Sequence, residues 1–428
     1  MRSFEQSARQ LDRAERVIPL GSQTFSKSRT QYPQGVSPLF LARGKGSRVW
    51  DVDGNEYIDF VNSLLSITLG YGDPDVDAAV RAQLDDGVIL SLPHPLETEV
   101  AERIVELVPC AEMVRFGKNG SDATSGAIRI ARAFTGRDRV AVCGYHGWQD
   151  WYIGSTARSL GVPQATRDLT HGFAYNDLAS LESLLAAHKG EFAAIILEPM
   201  NLEWPREGFL EGVRELATRE GAVLVFDETI TGFRYAMGGA QQLFGVTPDL
   251  ATFGKGLANG YPVAAIAGRR DIMKLMEEVF FSFTFGGEML SLAAAKAVLD
   301  KLQREPVLDR IAALGTRLQT GLTAIIEEHQ LAHIFAVKGH PSWSFLTIAD
   351  APAAGLYEMK TMLMQELHER GFLSVGSHNI SYAHSEADID ALLAAYREIL
   401  PAIGGAAAAG NVRAHLRCEP LVPLFKVR

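Results

Sequence analysis

The chain has 428 residues, of which 47% are hydrophobic and 21% are charged, and its formal net charge is −10. This composition is typical of a globular protein with a large core, and the length allows two or three domains. The acidic charge and the absence of any Lys/Arg run argue against nucleic-acid binding, and no apolar run approaches the ~20 residues of a transmembrane helix.

The first twenty residues and the three cysteines both favour a cytoplasmic protein. The segment MRSFEQSARQLDRAERVIPL is charged and periodic, unlike a secretory signal. Cys110, Cys143 and Cys418 show neither CxxC pairing nor metal-ligand spacing, and their odd number excludes complete pairing in disulfides. We therefore expect a cytoplasmic protein with no metal centre and with neither nucleic acid nor membrane as a partner.

The N-terminal segment, residues 1–60, is predicted to contain a helix and a hairpin and to pack with the smaller of two domains. Residues 4–18 read as an amphipathic helix, and residues 21–38 are irregular. Residues 48–60 alternate as two strands around the turn Asp53-Gly54-Asn55.

Residues 61–290 are predicted to form a large α/β domain, because helical and strand patterns alternate there. Runs such as Ala193-Ala194-Ile195-Ile196-Leu197 are apolar on both faces, which is typical of a covered, mainly parallel sheet. The predicted helices are 74–86, 97–108, 121–135, 177–188 and 208–220. The predicted strands are 112–116, 139–143, 192–198, 222–227 and 263–267.

Residues 291–428 are predicted to form a smaller α+β domain. Its predicted elements are helices at 291–302 and 305–327, a strand at 344–349, a helix at 356–370 and a strand–helix pair over 379–402. The segment Gly404–Gly410 is rich in glycine and alanine and is predicted to be a linker before a short tail.

Lys255 and Asp227 are the most informative residues for function. Lys255 stands among small and apolar neighbours in Ala251–Gly260, and Asp227 ends the apolar run that begins at Val223. A lysine that can lose its proton and an aspartate at the end of a buried strand are the two groups that pyridoxal phosphate (PLP) needs. The lysine forms the covalent bond and the aspartate pairs with the ring nitrogen.

Each of these residues also has a simpler explanation when it is taken alone. A lysine in a glycine-rich loop is more often a solvated loop residue, and an aspartate at a strand end is as often a helix cap or an ion-pair partner. The glycines of Gly254–Gly260 also resemble a dinucleotide loop, but no acid follows at the expected spacing of ~20 residues.

The segment Phe116–Ala123 runs from a strand into a helix and suits a phosphate. Gly120 allows close approach of the backbone, and Ser121 with the helix-start amides would bind the anion. The alternative is a plain helix N-cap by Ser121 or Asp122.

Two further segments suit the rest of such a cofactor. Tyr145-His146-Gly147-Trp148 carries aromatic groups that can stack on a flat ring, although aromatic clusters usually belong to the core. Phe283–Gly287 offers the hydroxyl of Thr284 as a second phosphate contact, and its alternative is an ordinary turn.

Together these segments resemble the class III PLP-dependent aminotransferases, which have fold type I, and particularly their glutamate-1-semialdehyde 2,1-aminomutase-like branch. The resemblance covers nearly the whole chain, in order and in spacing. The matching segments are Val49–Asp59, Gly120–Ala123, Tyr145–Gly147, Glu198–Pro199, Asp227–Arg234, Pro248–Leu250, Gly254–Lys255, Thr284–Gly287 and Ala383–Asp390.

The resemblance implies a role for each matching residue. Lys255 would be the catalytic residue that binds PLP covalently, and Asp227 would bind the ring nitrogen. The other implied cofactor contacts are Tyr145 over one ring face, Thr229 against the other, His146 beside them, Asn119, Gly120 and Ser121 at the phosphate, and Thr284 at the phosphate of the neighbouring subunit. A homodimer with shared active sites follows from the last of these.

Several segments depart from the family pattern, chiefly on the substrate side. Thr24–Lys27 stands where the aminomutase has the Ser-Pro-Val-Arg segment that supplies a substrate-carboxylate arginine, so Lys27 and Arg29 become the candidates for that contact. The other departures are Ser63–Ser66 for Ser-Trp-Gly-Pro, Glu203 for an Asn near the phenolic oxygen of the cofactor, Thr229 for Val, and Gly287-Glu288-Met289 for Gly-Asn-Pro.

We therefore expect a PLP-dependent aminotransferase that moves an amino group from an amino donor to an oxo acceptor by a ping-pong mechanism. Tyr145–Trp151 and Phe283–Leu292 resemble a subgroup associated with surface-polysaccharide biosynthesis, which suggests an amino-sugar or related oxo substrate. One alternative is an intramolecular aminomutase of the glutamate-1-semialdehyde type. Another is a catalytically silent PLP-binding or assembly protein, against which the retention of Lys255 and Asp227 argues.

Overall fold

The computed structural model describes residues 2–351 and 353–422. The described residues divide into two compact units, one from residue 74 to residue 308 and the other combining residues 2–73 with the described residues from 309 to 422. The predicted segments 1–60, 61–290 and 291–428 stay a prediction as domains, since the chain passes between the compact units near residues 73 and 308.

The helices and strands of the described residues follow in chain order. The strands are β1 (Leu41–Lys45), β2 (Arg48–Asp51), β3 (Glu56–Asp59), β4 (Met113–Gly117), β5 (Arg139–Cys143), β6 (Thr170–Gly172), β7 (Phe192–Leu197), β8 (Val223–Asp227), β9 (Leu250–Phe253), β10 (Ala264–Gly268), β11 (Phe335–His340), β12 (Trp343–Ile348), β13 (Phe372–Leu373) and β14 (Ser377–Asn379). The helices are α1 (Glu5–Glu15), α2 (Asn62–Leu65), α3 (Pro74–Asp86), α4 (Pro95–Leu107), α5 (Gly120–Thr135), α6 (Asp150–Ile153), α7 (Gln164–Arg167), α8 (Leu178–Ala187), α9 (Phe209–Glu220), α10 (Ala240–Phe244), α11 (Arg270–Met273), α12 (Met289–Arg304), α13 (Val307–Glu328), α14 (Leu356–Glu369) and α15 (Glu386–Ala408). Short 3₁₀ turns lie at Pro19–Gly21, Phe25–Lys27, Lys255–Ala258, Lys274–Glu277 and Val412–His415.

The unit from residue 74 to residue 308 contains a seven-stranded sheet in the order β4-β10-β9-β8-β7-β5-β6. Only β10 runs antiparallel to its neighbours, so the sheet is mainly parallel, as predicted. Adjacent residues of a strand point to opposite faces. Ile196 accordingly packs in one buried cluster with α5, while Ile195 packs in another with α8 and α9. Because both faces are covered, the strands are apolar throughout.

Four adjacent strands of this sheet run parallel: β9, β8, β7 and β5. Their carboxyl ends therefore lie at the same edge of the sheet. The register pairs Cys143 with Leu197, Leu197 with Phe226, and Asp227 with Thr252. The segments that follow these strands therefore start side by side, which is where α/β sheets bind their ligands.

The other unit contains two smaller sheets, β1-β2-β3-β13 and β11-β12-β14. Tyr57 of β3, Met364 of α14 and Leu373 of β13 share one buried cluster, so the predicted hairpin packs with the C-terminal part of the chain. The turn α2 is left-handed: Asn62, Ser63, Leu64 and Leu65 all have positive φ, between 45° and 71°. Non-glycine residues rarely adopt this conformation, and each costs roughly 1–2 kcal/mol there.

The predicted helices and strands of residues 61–290 are confirmed to within a few residues. The predicted linker at Gly404–Gly410 is wrong, because α15 is 23 residues long and continues to Ala408. Ala406 and Ala407 are buried, so alanine, the best helix former, fills a packed helix end rather than a linker. Taken over all described residues, no helix combines the length and the apolarity that crossing a membrane requires.

Candidate active site

Asp227, the last residue of β8, is the centre of the polar cluster at this sheet edge. Its buried carboxylate accepts hydrogen bonds from the Thr229 amide (3.1 Å), the Thr229 hydroxyl (2.6 Å) and the Thr252 hydroxyl (3.0 Å), and its second oxygen lies 2.9 Å from His146 Nδ1. Burial alone would raise the pKa of this carboxyl, but the hydrogen bonds from His146 and Thr229 hold it below its ordinary value. Asp227 is therefore a permanent buried negative charge at neutral pH.

His146 lies behind Asp227 and fixes its orientation. An ionised carboxylate only accepts hydrogen bonds, so Nδ1 of His146 must be the donor. The ring is 1% exposed, and its Nε2 has no hydrogen-bond partner among the described residues. The backbone of His146 is held in turn, since its carbonyl accepts from the Thr124 hydroxyl of α5 at 2.8 Å.

Lys255 follows β9, the strand beside β8, and begins a 3₁₀ turn. It is half-buried, and its φ is +42°, a conformation that non-glycine residues rarely adopt. Such backbone strain is concentrated at functional sites. The preceding residue, Gly254, is close to the Asp227 cluster: a Cβ placed on Gly254 would lie 3.3 Å from Thr229 Cγ2.

The loop between β4 and α5 also lies close to Thr229, beside the Asp227 cluster. A Cβ on Gly120 would lie 3.0 Å from Thr229 Cγ2, so only glycine fits without displacing a neighbour. Asn119 caps α5 in a reciprocal arrangement with Asp122, whose carboxylate accepts from the Asn119 amide at 3.0 Å. The first amides of a helix have no partner within it and carry its positive dipole end, which suits a phosphate.

Ser121 is held against the segment after β5. Its hydroxyl accepts from the Trp148 amide at 3.3 Å, and a Cβ on Gly147, whose φ is +103°, would collide with it. The Tyr145–Trp148 segment and the start of α5 are thus fixed relative to each other.

Tyr145 is positioned by Glu198, a buried acid that follows β7. The Glu198 carboxylate accepts from the Tyr145 amide at 2.9 Å and from Asn201 Nδ2 at 3.0 Å. The Tyr145 ring is partly exposed and packs edge-on against Tyr152, with 5.7 Å between the ring centroids.

The remaining predicted residues lie outside this cluster of contacts. Thr284 and Glu203 are exposed. Lys27 and Arg29 belong to the other unit, where Lys27 Nζ donates to Ser63 Oγ at 3.2 Å and Arg29 forms an ion pair with Glu15.

The residues present fit PLP. Asp227 supplies the ionised carboxylate for a protonated ring nitrogen, the start of α5 supplies donors for a phosphate, and Gly120 and Gly254 leave room beside Thr229. Lys255 follows the neighbouring strand β9 and could form the covalent bond. The residues that could hold the cofactor are therefore those at the carboxyl ends of β4, β5, β8 and β9.

Sequence reasoning missed Thr252 and assigned no role to Glu198. Thr252 lies opposite Asp227 in the parallel register of β8 and β9, and β9 was not predicted, so this neighbour could not be inferred. Glu198 stood in a matching motif directly after a predicted strand, a signal that could have located it at the sheet edge.

The chain is similar to known proteins of one family. The profile of Aminotransferase class-III matches residues 31–389. The chain is 38% identical to the 3-aminobutyryl-CoA aminotransferase of Cloacimonas acidaminovorans (strain Evry), covering 91% of this chain and 95% of the relative. It is also 38% identical to the glutamate-1-semialdehyde 2,1-aminomutase of Roseiflexus castenholzii, covering 90% and 98%. The solved PLP internal aldimine form of the Sphingopyxis sp. MTA144 FumI protein superposes with a TM-score of 0.88 at 30% identity, over 95% of this chain and 98% of that one.

Proposed function

Because the chain belongs to the PLP-dependent class III aminotransferases, we propose that it moves an amino group from an amino donor to a separate oxo acceptor in two successive half-reactions. The observation that carries this proposal is the ionised, buried Asp227 beside the Lys255 loop. When bound, PLP supplies an aldehyde that combines with the amino group and a ring that withdraws electrons from the carbon that loses its proton.

Asp227 is the residue proposed to keep the ring nitrogen protonated. His146 and Thr252 hold its carboxylate in place, so no reorganisation is needed when charge develops during the reaction. Thr229, which donates to Asp227 through both its amide and its hydroxyl, is proposed to pack against one face of the ring and Tyr145 against the other.

Lys255 is proposed to bind the cofactor covalently and then to move the proton at its Nζ. Its half-buried position after β9 is next to Gly254, which packs close to Thr229. Asn119, Gly120 and Ser121 are proposed to bind the phosphate, together with Thr284.

On the substrate side we favour Lys27 over Arg29 as the carboxylate contact. The guanidinium of Arg29 is already paired with Glu15, whereas Lys27 donates to the hydroxyl of Ser63 on the left-handed turn α2. This turn overlaps Ser63–Ser66, a segment that differs from the aminomutase pattern. We therefore propose that the residues lining the substrate site differ from those of the aminomutases. Glu203 is proposed to lie near the phenolic oxygen of the cofactor.

An intramolecular aminomutase is the second candidate, supported by 38% identity to such an enzyme over 90% of the chain. The two are separated by incubating the purified enzyme first with an amino donor alone and then with an oxo acid or oxo sugar. A transaminase would give a stable aminated cofactor after donor alone and parallel-line ping-pong kinetics. Efficient conversion of glutamate-1-semialdehyde to 5-aminolevulinate, with no transfer to any external acceptor, would contradict our choice.

A homodimer with shared sites is proposed from an apolar surface around Thr284. Phe283 and Phe285 on either side of it are 37% and 57% exposed, and the nearby segment Val88–Leu92 exposes four large aliphatic side chains. A cavity of about 860 Å³ lies between α4, β4 and this loop, and neither Lys255 nor Asp227 lines it. Large exposed apolar groups mark protein interfaces, and we propose that a second copy of the chain covers these side chains.

The cellular context is proposed from the sequence. Cys110, Cys143 and Cys418 are all free, which favours a reducing compartment such as the cytoplasm. The resemblance of Tyr145–Trp151 and Phe283–Leu292 to surface-polysaccharide enzymes favours an amino-sugar or related oxo substrate, so oxo sugars belong in the acceptor panel.

A further inference from the structure

Glu288 precedes α12 and is engaged on two sides. Its carboxylate caps the helix by accepting from the amides of Leu290 (2.8 Å) and Ser291 (3.3 Å) and from the Ser291 hydroxyl (2.5 Å). It also lies 2.9 Å from Lys118 Nζ. The two charged side chains are only 19% and 14% exposed, so this ion pair is largely screened from solvent.

The charge on Glu288 is maintained by its partners. Burial alone would raise the pKa of the carboxyl, but the hydrogen bonds from Ser291 and Lys118 hold the pKa below its ordinary value. Glu288 is therefore ionised at neutral pH and provides a full charge opposite Lys118.

The ion pair joins two segments that are distant in sequence. Lys118 immediately precedes Asn119, Gly120 and Ser121, and its amide is anchored on Asp122 Oδ2 at 3.0 Å. Glu288 immediately follows the Thr284–Gly287 turn, and its own amide donates to the Phe285 carbonyl at 3.3 Å. Both ends of the contact are thus fixed to a loop assigned above to phosphate binding.

We propose that Lys118 and Glu288 act as a latch that fixes the Thr284 turn relative to the phosphate loop and thereby raises the affinity for PLP. This inference rests on the proposed function, in which both loops contact cofactor phosphates. Binding is tighter when the contacting groups are already in place, because less conformational freedom is lost on binding. Both residues are positioning residues, since the Lys118 ammonium is engaged by Glu288.

The test is a double-mutant cycle on PLP affinity, measured with the full-length protein. The variants are Lys118→Met, Glu288→Asp and the double substitution. Aspartate is a preferred N-cap, so Glu288→Asp retains a helix cap while its shorter side chain no longer reaches Lys118. Each protein is stripped of PLP and titrated with it, and the dissociation constant is read from tryptophan fluorescence and from the visible absorption of the bound cofactor.

We expect each single substitution to raise the dissociation constant of PLP about tenfold and the double substitution to raise it no further, because all three break the same contact. The matched control is Lys301→Met. It breaks the ion pair of Lys301 with Asp75 (3.2 Å) at the opposite end of α12 and should lower the melting temperature without changing PLP affinity.

Three results would overturn the latch. Unchanged PLP affinity in both single variants would mean that the ion pair does not contribute to PLP binding. Additive losses would mean that Lys118 and Glu288 act independently, for example with Lys118 on the phosphate itself. Equal weakening by Lys301→Met would mean that affinity only follows stability. Failure of the wild-type protein to bind PLP would instead contradict the proposed function.

Discussion

Lys255 combines an unusual backbone conformation with a position beside the Asp227 cluster. Its φ of +42° is costly for a lysine, and such strain is retained where the surroundings fix it for a purpose. The sequence located this residue through its neighbours alone, without any indication of the strain.

We predict that Lys255 is the residue that bonds to PLP. Borohydride reduction of the loaded protein followed by peptide mapping should label Lys255, and Lys255→Ala should lack the visible absorption band of the lysine-bound cofactor. Lys274→Ala, which changes an exposed lysine nearby in the chain, is the matched control and should keep the band. A label on any other lysine would refute the assignment.

Asp227 should matter through its charge rather than through its shape. Asp227→Asn keeps the size of the side chain but removes the negative charge that His146 and the threonines stabilise. Electrostatic groups of this kind contribute roughly 3–4 kcal/mol to catalysis, so we expect kcat to fall by about two to three orders of magnitude. Near-normal turnover in an Asp227→Asn variant that still binds PLP would contradict the proposed role of the negative charge.

Glu228 is a buried acid that organises the segment after β8. It is fully buried, and it accepts from the amides of Ala240 (2.6 Å) and Gln241 (2.9 Å) at the start of α10 and from the Thr231 hydroxyl (2.5 Å). Burial raises the pKa of this carboxyl. Glu228, the residue after Asp227, is therefore structural.

We predict that Glu228→Ala lowers the free energy of unfolding by about 3 kcal/mol, because it leaves two buried amides without an acceptor. Thermal unfolding followed by circular dichroism measures the effect. Glu211→Ala, in the first turn of α9 and exposed, should change stability by less than about 0.5 kcal/mol. Equal effects of the two substitutions would contradict the structural role of Glu228.

Most helices and strands of residues 61–290 could be predicted, because the apolar pattern that indicates each of them lies within a short stretch of sequence. The helix α3 has the predicted bounds, and β5 and β8 lie within a residue of theirs. The strand β9 escaped prediction because Leu250–Phe253 is only four residues long. Its place between β8 and β10 depends on long-range pairing that a local pattern does not contain.

Two other features could not be predicted from the sequence, because tertiary contacts override the local backbone preference of their residues. Gly404 and Gly405 suggested a linker, yet they lie within α15, where Gly404 packs so closely on Leu331 that a Cβ would collide with its side chain. The left-handed turn α2 contains no glycine at all. Residue propensity is a weak guide at such places.

The exposed phenylalanines around Thr284 lead to a prediction about the subunits of the proposed dimer. If Thr284 serves the neighbouring site, a heterodimer of Lys255→Ala and Thr284→Trp chains has one site with both intact residues, whereas each homodimer has none. We expect inactive homodimers and recovery of up to half the wild-type activity per dimer. The measurement is activity in heterodimers purified through two different tags. Verified heterodimers without recovery would mean that Thr284 serves its own subunit.

Three histidines of the unit that combines residues 2–73 with residues 309–422 lead to a prediction about acid stability. His368, His378 and His384 are fully buried, and burial lowers their pKa values to about 4, about 3 and about 4. Their hydrogen-bond partners include the hydroxyls of Ser37 for His368, of Ser344 and Tyr396 for His378, and of Ser381 for His384, whose Nδ1 also accepts from the Ser381 amide. All three imidazoles are therefore neutral in the folded protein throughout the physiological pH range.

Each of these histidines binds a proton near pH 6.5 once the chain unfolds. The unfolded state then carries more protons than the folded state below that pH, so the free energy of unfolding falls as the pH drops from about 6.5 towards 4. At pH 5 the loss is about 2 kcal/mol for each histidine, at 1.36 kcal/mol per pH unit. We expect the melting temperature to fall steeply between pH 6.5 and 5 and His378→Gln to flatten that fall, because glutamine can still hydrogen-bond but does not titrate. A wild-type melting temperature that is constant over this interval would show that the three imidazoles are already protonated in the folded protein.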